Sequence, residues 1–263
     1  MLWFQTMLPT LMPFMILSTM MVSMHLTDFL GAQNYCIVMG FLCGFPMGAK
    51  VIKDLYKTNA LSKTHANLLL GFCNNLGPIF VLNYALPTLG IKTPFFYTLG
   101  LYGIPFVYGM ILLYLYKDKS QISIIQNCKE TPQILYHIDD AIQCAIHSIT
   151  TLGGYMILFN LLNIIPYSLT TQFQLFSQWN RESNFPIRCL FEISGGLNAS
   201  LVPSIWLMGL LTLGGLSCLA QTYSVIKDTD LSFGVYVKHK CIQAIITMLY
   251  FTFLSLLKVI DYA

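Results

Sequence analysis

Long apolar runs separated by short polar links organise this chain. The first covers about residues 2–24, with Pro9 and Pro13 four residues apart, so a kinked or re-entrant first segment is predicted. After the link HLTDFLGAQN the next run carries Gly44, Pro46 and Gly48 in its middle, with Lys50 just beyond. An interior glycine costs a soluble helix about 1 kcal/mol and an interior proline about 3. Within lipid the freed N–H and C=O groups also have no water to bond. The stretch is therefore read as a broken helix: either a loop between two shorter helices or the floor of a polar site.

A lysine-rich stretch, residues 50–63, follows, and its charge places it on the cytoplasmic side. Ser62 or Thr64 can cap the next helix, which runs over about residues 65–89 and is interrupted at CNNLGP. A more regular span covers 94–117. Residues 118–140 are the most polar part of the chain, and Thr131-Pro132 should stop any helix there. This segment divides the chain into a first transmembrane half, 1–117, and a second, 141–263. The second half reads as a helix from 141, a polar surface stretch at 170–188, the run CLFEISGGLNASLVP, a glycine-interrupted span over 204–227 and a last span over 241–260. The predicted fold class is all-α: a polytopic transmembrane helical bundle of about seven or eight membrane segments, with broken or re-entrant helices.

Composition strengthens this picture. Hydrophobic residues make up 56% of 263 positions and charged residues 10%, against about 25% in soluble domains. Mean hydropathy is +0.64. No Asp, Glu, Lys or Arg occurs over 1–27, 141–180 or 193–226, each long enough for the roughly 20 residues of a crossing. The first segment lacks the basic start and small-residue cleavage site of a signal peptide, so none is expected. A scattered net charge of +3 gives no reason to expect nucleic acid as a partner. The eight cysteines show no CxxC pair and no zinc spacing, and read as packing residues; neither a metal nor a cofactor is expected.

Three polar interruptions are the candidate site. Asn74 and Asn75 sit in an apolar span, where unpaired amides are costly. They read either as a hydrogen-bonding wall for a polar solute or as interhelical glue. Glu192 is the one carboxylate between Glu182 and Asp228. Within a membrane span it would mark a functional site, with Ser194, Gly195 and Asn198 beside it, although Arg188 four residues earlier offers it an interfacial partner. In the third, LGGLSCLAQT, Gly215 and Ser217 give a small-residue surface and Gln221 adds an amide. Lys50 is read as snorkelling to the headgroups and His147 as a packing or surface residue. No nucleophile triad, phosphate-binding loop or metalloprotease helix is present, so an enzyme is not expected.

The halves also rhyme. Residues 43–62, CGFPMGAKVIKDLYKTNALS, resemble 214–232, GGLSCLAQTYSVIKDTDLS, each a glycine-broken apolar segment followed by Val-Ile-Lys-Asp, a polar turn and another helix. In this comparison Gln221 answers to Lys50. Paired broken segments in two halves point to a transporter's binding site.

The segments GFPMGAKVIKDLY, LSKTHANLLLGFCNNLGPIFV, LFEISGGL and GGLSCLAQT, with the proline-rich start LPTLMPF, resemble the sporulation integral membrane proteins of the YlbJ type. These are placed in the nucleoside-recognition (Gate) group, which also resembles parts of concentrative nucleoside carriers and of the ferrous-iron permease. The chain looks shorter than typical relatives, with a brief link before the first glycine-broken segment. The resemblance implies a multi-pass protein of a spore-forming bacterium, in the cell membrane or in forespore or mother-cell membranes. Gly44, Pro46, Gly48, Asn74, Asn75, Glu192, Gly195, Gly215 and Ser217 fall in its motif segments. Expected partners are the lipid bilayer and a small polar solute or ion (a nucleoside-like molecule, a small acid or a cation), and a homo-oligomer stays open. The leading expectation is a permease; the rival is a non-transporting scaffold for spore assembly.

Overall fold

The computed structural model describes residues 8–23, 30–116, 134–163, 185–197 and 204–260, all helix or connecting turn. In the first half, α1 is Leu8–Ser23, with Pro13 inside it, α2 is Ala32–Cys43, α3 is Met47–Lys57 and α4 is Lys63–Cys73. Helix α5 starts as Pro78–Phe80, widens to a π-helical turn over Val81–Ala85 and closes as Leu86–Thr88. Helix α6 repeats the device, with Phe95–Thr98, a π turn at Leu99–Gly103 and then Ile104–Leu115. In the second half, α7 is Ile134–Leu162, α8 Phe185–Phe191 and α9 the single turn Ile193–Gly196. Helices α10, Ile205–Leu213, α11, Gly215–Ile226, and α12, Phe233–Leu256, complete it. Helix α7 starts two residues beyond Pro132, so the expected divider at 118–140 enters the described residues only as the beginning of that helix.

Among the described residues, five stretches are long and apolar enough to cross a membrane: Lys63–Thr88, Phe95–Leu115, Leu135–Leu162, Ile205–Ile226 and Phe233–Leu256. Two of them contain the predicted interruptions, at 74–77 and at Gly214. Helix α2 has 12 residues, about 18 Å of rise, and cannot cross alone. The side chains separate centre from periphery. In the most apolar window of Ile205–Ile226, 61% of residues are buried inside the protein, against 22% for Phe95–Leu115. Outward-facing Leu115, Ile157, Trp206 and Leu249 are exposed in the way lipid-facing residues are.

Inside, one apolar cluster joins α1–α4 with α7, α11 and α12, and a second joins α5 and α6 with α8–α10 and α12; Leu76, in the α4 break, packs on both. Helix starts follow the serine caps: Ser62, Ser204 and Ser232 accept from the amides of His65, Leu207 and Val235, each at 3.3 Å. On one face, ion pairs tie the halves together. Lys53 reaches Asp228 at 3.0 Å and Lys63 reaches Asp230 at 2.7 Å, with Tyr56 donating to Asp230 at 2.6 Å.

The glycines of the first broken segment give a discriminating prediction. Gly44 has φ +75°, and a Cβ there would fall on the backbone nitrogen of Gly77; Gly90 has φ +70° with nothing within 4 Å. Gly90→Ala should cost only the left-handed backbone, about 1 kcal/mol. Gly44→Ala should cost at least about twice that and lower the yield of folded protein. Thermal unfolding in detergent measures both.

A second prediction concerns acid. Hydrogen bonds from Lys53 to Asp228, and from Lys63 and then Tyr56 to Asp230, hold both carboxyls below their usual range. A carboxyl depressed in the folded state stabilises it above the unfolded pKa of about 3.9 and loses that contribution as pH falls through the folded value. The melting temperature should therefore fall on acidification below about pH 4, and Asp228→Asn with Asp230→Asn should flatten that fall.

Candidate functional site: converging helix breaks and a polar cleft

The α2–α3 break lies directly on the α4–α5 break. Its chain passes through Gly44, a cis Phe45–Pro46 bond and then α3. The Phe45 amide donates to the Asn75 carbonyl at 2.7 Å. Gly40, Gly44 and Gly48 line the contact. A Cβ at Gly40 would sit 2.6 Å from the Cys73 oxygen, and one at Gly48 would sit 3.1 Å from both Cα and Oδ1 of Asn74. Only glycine allows two interrupted backbones to approach this closely.

The asparagines serve as connectors. Asn74 is fully buried; its Oδ1 accepts from the Ala49 amide in the first turn of α3 at 3.3 Å. Its Nδ2 donates to Thr222 Oγ1 of α11 at 2.8 Å and to the Tyr236 hydroxyl of α12 at 3.4 Å. Asn75 Nδ2 bonds the Phe72 carbonyl at 2.7 Å, and its Oδ1 accepts from Lys240 Nζ at 2.6 Å. Lys240 is fully buried in α12, with the Phe45 ring 5.4 Å from its ammonium. One turn on, Gln243 donates to the Gly71 carbonyl at 2.9 Å. A cation and an amide thus close the severed C-terminal end of α4, where carbonyls lack helical partners.

The second-half breaks join the same junction. Gly214, at φ +90°, lies against Phe45, and a Cβ there would be 2.8 Å from the ring. Gly215, at φ +70°, faces the Cys189 and Leu190 carbonyls, each 3.1 Å from its virtual Cβ. Glu192 caps the next turn: one carboxylate oxygen accepts from the Ser194 amide at 3.0 Å, the Ser194 hydroxyl at 2.8 Å and the Gly195 amide at 3.3 Å. Gly195 abuts Asn160 of α7, and Tyr84 donates to the Ser194 carbonyl at 2.9 Å. Ser217 accepts from Gln221 Nε2 at 3.0 Å. Asn198 lies outside the described residues.

Space for a solute lies on one side of this junction. Beside Asn75 a cavity of about 10 Å³, bounded also by Tyr102 and Thr212, has room for one water at most. A cleft of about 210 Å³ opens between α3, α7 and α11. Pro46 and Met47, at the start of α3, line it together with Lys50 and Asp54; α7 adds His147, Ser148 and Thr151, and α11 adds Gln221. Lys50 is buried, with its ammonium 2.8 Å from Asp54 and 3.0 Å from Thr19 Oγ1, so it does not snorkel as expected. Gln221 is 4% exposed, and its Oε1 has no partner among the described residues.

The breaks at Gly44–Pro46, Asn74–Asn75 and Gly214–Gly215 thus meet, with Glu192 capping the turn that follows α8. Of the expected site residues, Pro46 and Gln221 line the cleft. Sequence reasoning missed Lys240, Gln243 and Thr247, because Lys240 was read as lying before its span. The signal was available: Ser232 caps α12, and Tyr236, Lys240, Gln243 and Thr247 recur at the spacing of one helical face. His147, Ser148 and Thr151 form a similar stripe on α7.

The Lys240–Asn75 contact is testable by a double-mutant cycle. Asn75→Leu should destabilise by about 3 kcal/mol or more, because it leaves a buried ammonium without its acceptor. Lys240→Met on that background should recover much of the loss in thermal unfolding of the purified protein.

The chain matches no protein-family model, and no solved structure resembles it. Among curated proteins it is similar to the sporulation integral membrane protein YlbJ of Bacillus subtilis (strain 168), with 22% identity over 92% of this chain and 72% of that protein. The likeness agrees with the YlbJ-type resemblance, while nothing in it reaches the wider Gate group. The apolar helices and this alignment support a membrane location for the chain, which is similar over most of its length to that sporulation integral membrane protein.

Proposed function

We propose that the protein is a permease for a small polar solute or ion, which enters through the cleft between α3, α7 and α11. The observation that carries this reading is the cleft itself: about 210 Å³ of open space in an apolar helical protein, floored by a broken helix and bearing charged, hydroxyl and amide side chains among apolar walls. Two parallel units favour an internal repeat. Helices α2–α3–α4 and α10–α11–α12 each run as a broken helix, Val-Ile-Lys-Asp, a turn and a serine-capped helix, and Lys53 of one motif pairs with Asp228 of the other. We take the membrane segments, counted over the described residues with each broken helix as one, to be α1, α2–α3, α4–α5, α6, α7, α8–α9, α10–α11 and α12, of which five carry a stretch long enough to cross. The closed packing around Asn75 corresponds to a state open to one side. The reading involves no reaction step and no enzyme chemistry. By analogy with the relative's name, the membrane is that of a spore-forming bacterium, around the forespore or the mother cell.

A second reading, a scaffold for spore assembly, is favoured by the saturation of Asn74 and Asn75, whose bonds tie the halves together as glue would. Uptake by purified protein in liposomes, against a panel of nucleosides, small acids and metal cations, separates the two. Thr151→Trp should block uptake of the transported solute at least about tenfold, because the indole fills cleft space, with normal insertion and abundance. No uptake of any panel member, together with full cellular function of Thr151→Trp, would leave the scaffold.

A further inference from the structure

We infer that the cleft binds a small oxyanion, a carboxylate or phosphate group, between the N-terminal end of α3, Lys50 and Gln221. This rests on the permease reading for its purpose but on separate observations for its chemistry. Helix α3 runs 11 residues, and Pro46 and Met47 at its start line the cleft floor, so the positive end of its backbone dipole faces the open space. Side-chain charge adds to that field. Lys50, Lys53 and Lys227 line the cleft against Asp54 and Asp228, which leaves one positive charge over, three less two. Pro46 offers α3 no side-chain cap, and of the first amides those of Gly48 and Ala49 go to the Gly44 carbonyl and Asn74 Oδ1, which leaves the Met47 amide nearest the cleft.

Gln221 supplies the independent pointer to a ligand. Its amide is nine-tenths buried, belongs to a residue that lines the cleft and has one end without a partner among the described residues, while the other donates to Ser217 Oγ at 3.0 Å. An amide can turn over. With Ser217 donating to Oε1, the NH₂ group would be the free end, a donor that a rotation of the side chain can bring to an anion in the cleft. Lys50 is held in readiness, since its ammonium bonds Asp54 and Thr19 and can exchange the neutral Thr19 hydroxyl for a charged acceptor. The volume, about seven waters' worth, suits a solute of a few non-hydrogen atoms around its charged group.

The test uses the full-length purified protein. Its melting temperature is followed with sodium phosphate, sodium acetate, methylammonium chloride and glycerol at constant ionic strength. A saturable rise with phosphate or acetate, and none with methylammonium or glycerol, is expected. Gln221→Glu should weaken that response about tenfold by placing a carboxylate at the site. Asp54→Asn, which frees the Lys50 ammonium, should strengthen it about threefold, a gain that misfolding cannot imitate. A response to methylammonium alone, or an anion response unchanged in both variants, overturns the inference. Repeating the measurement in phosphatidylcholine nanodiscs with and without phosphatidylglycerol separates the sources. A rise from phosphatidylglycerol alone assigns the site to a lipid headgroup and overturns a soluble ligand.

Liposome flux keeps the two claims apart. Anion binding without flux sinks the permease and leaves the site standing. Flux confined to cations or neutral solutes sinks the anion site and leaves the permease.

Discussion

A severed helix inside a membrane exposes backbone groups that lipid cannot bond, and that constraint shapes the centre of this protein. Each break is answered by another break, by a neighbouring helix or by its own cap. The α2–α3 break sends the Phe45 amide to the Asn75 carbonyl, and the α4–α5 break returns the Asn74 side chain to the Ala49 amide. Tyr102 takes the Leu76 carbonyl, and Gln243 takes that of Gly71. Glu192 covers the amides of Ser194 and Gly195, and Tyr84 the Ser194 carbonyl. The two first-half breaks depend on each other, whereas the turn after α8 is closed in part by its own Glu192. The close glycine contacts follow from this need, because carbonyls and amides from different helices must come within bonding distance.

That mutual dependence places polarity where it is useful. At the junction the Asn74 and Asn75 amides are bonded at both ends, although Gln243 Oε1 and Thr247 Oγ1 lack partners among the described residues, whereas the cleft beside it has paired charges and a Gln221 oxygen without a partner among them. The first arrangement fixes the helices and the second leaves room for another molecule. Pro46 belongs to both, closing the α2–α3 break on one side and flooring the cleft on the other. A disturbance in the cleft is therefore mechanically close to the point where the two halves cross.

The breaks were the most legible part of the sequence, since Gly44, Pro46, Asn74, Gly77 and Gly214 act through local backbone chemistry that residue type reveals. Gln221 was also legible as a polar residue on a small-residue surface. The face of α12 was not. Lys240 beside Lys238 and His239 looks like a loop charge, and only the start of the helix at Phe233 shows that it is two turns inside. Lys50 was misread for the same reason: its burial depends on Thr19 and Asp54, and a partner 31 residues away leaves no local trace. Glu192 stood out as an isolated carboxylate, yet nothing in its neighbours announced that it would cap its own turn.

The two π turns set rotational phase. Relative to a regular helix, each inserts an extra residue, which turns everything beyond it by about 100°. Tyr84 lies within one and Tyr102 within the other, and each points its hydroxyl at a backbone oxygen exposed by a break. Removing any single residue from 81–85 or 99–103 would leave a more ordinary helix and a composition almost unchanged, yet swing the rest of that helix away from its neighbours. In these two segments residue count matters as much as residue identity, a dependence that a position-by-position comparison of relatives would not register.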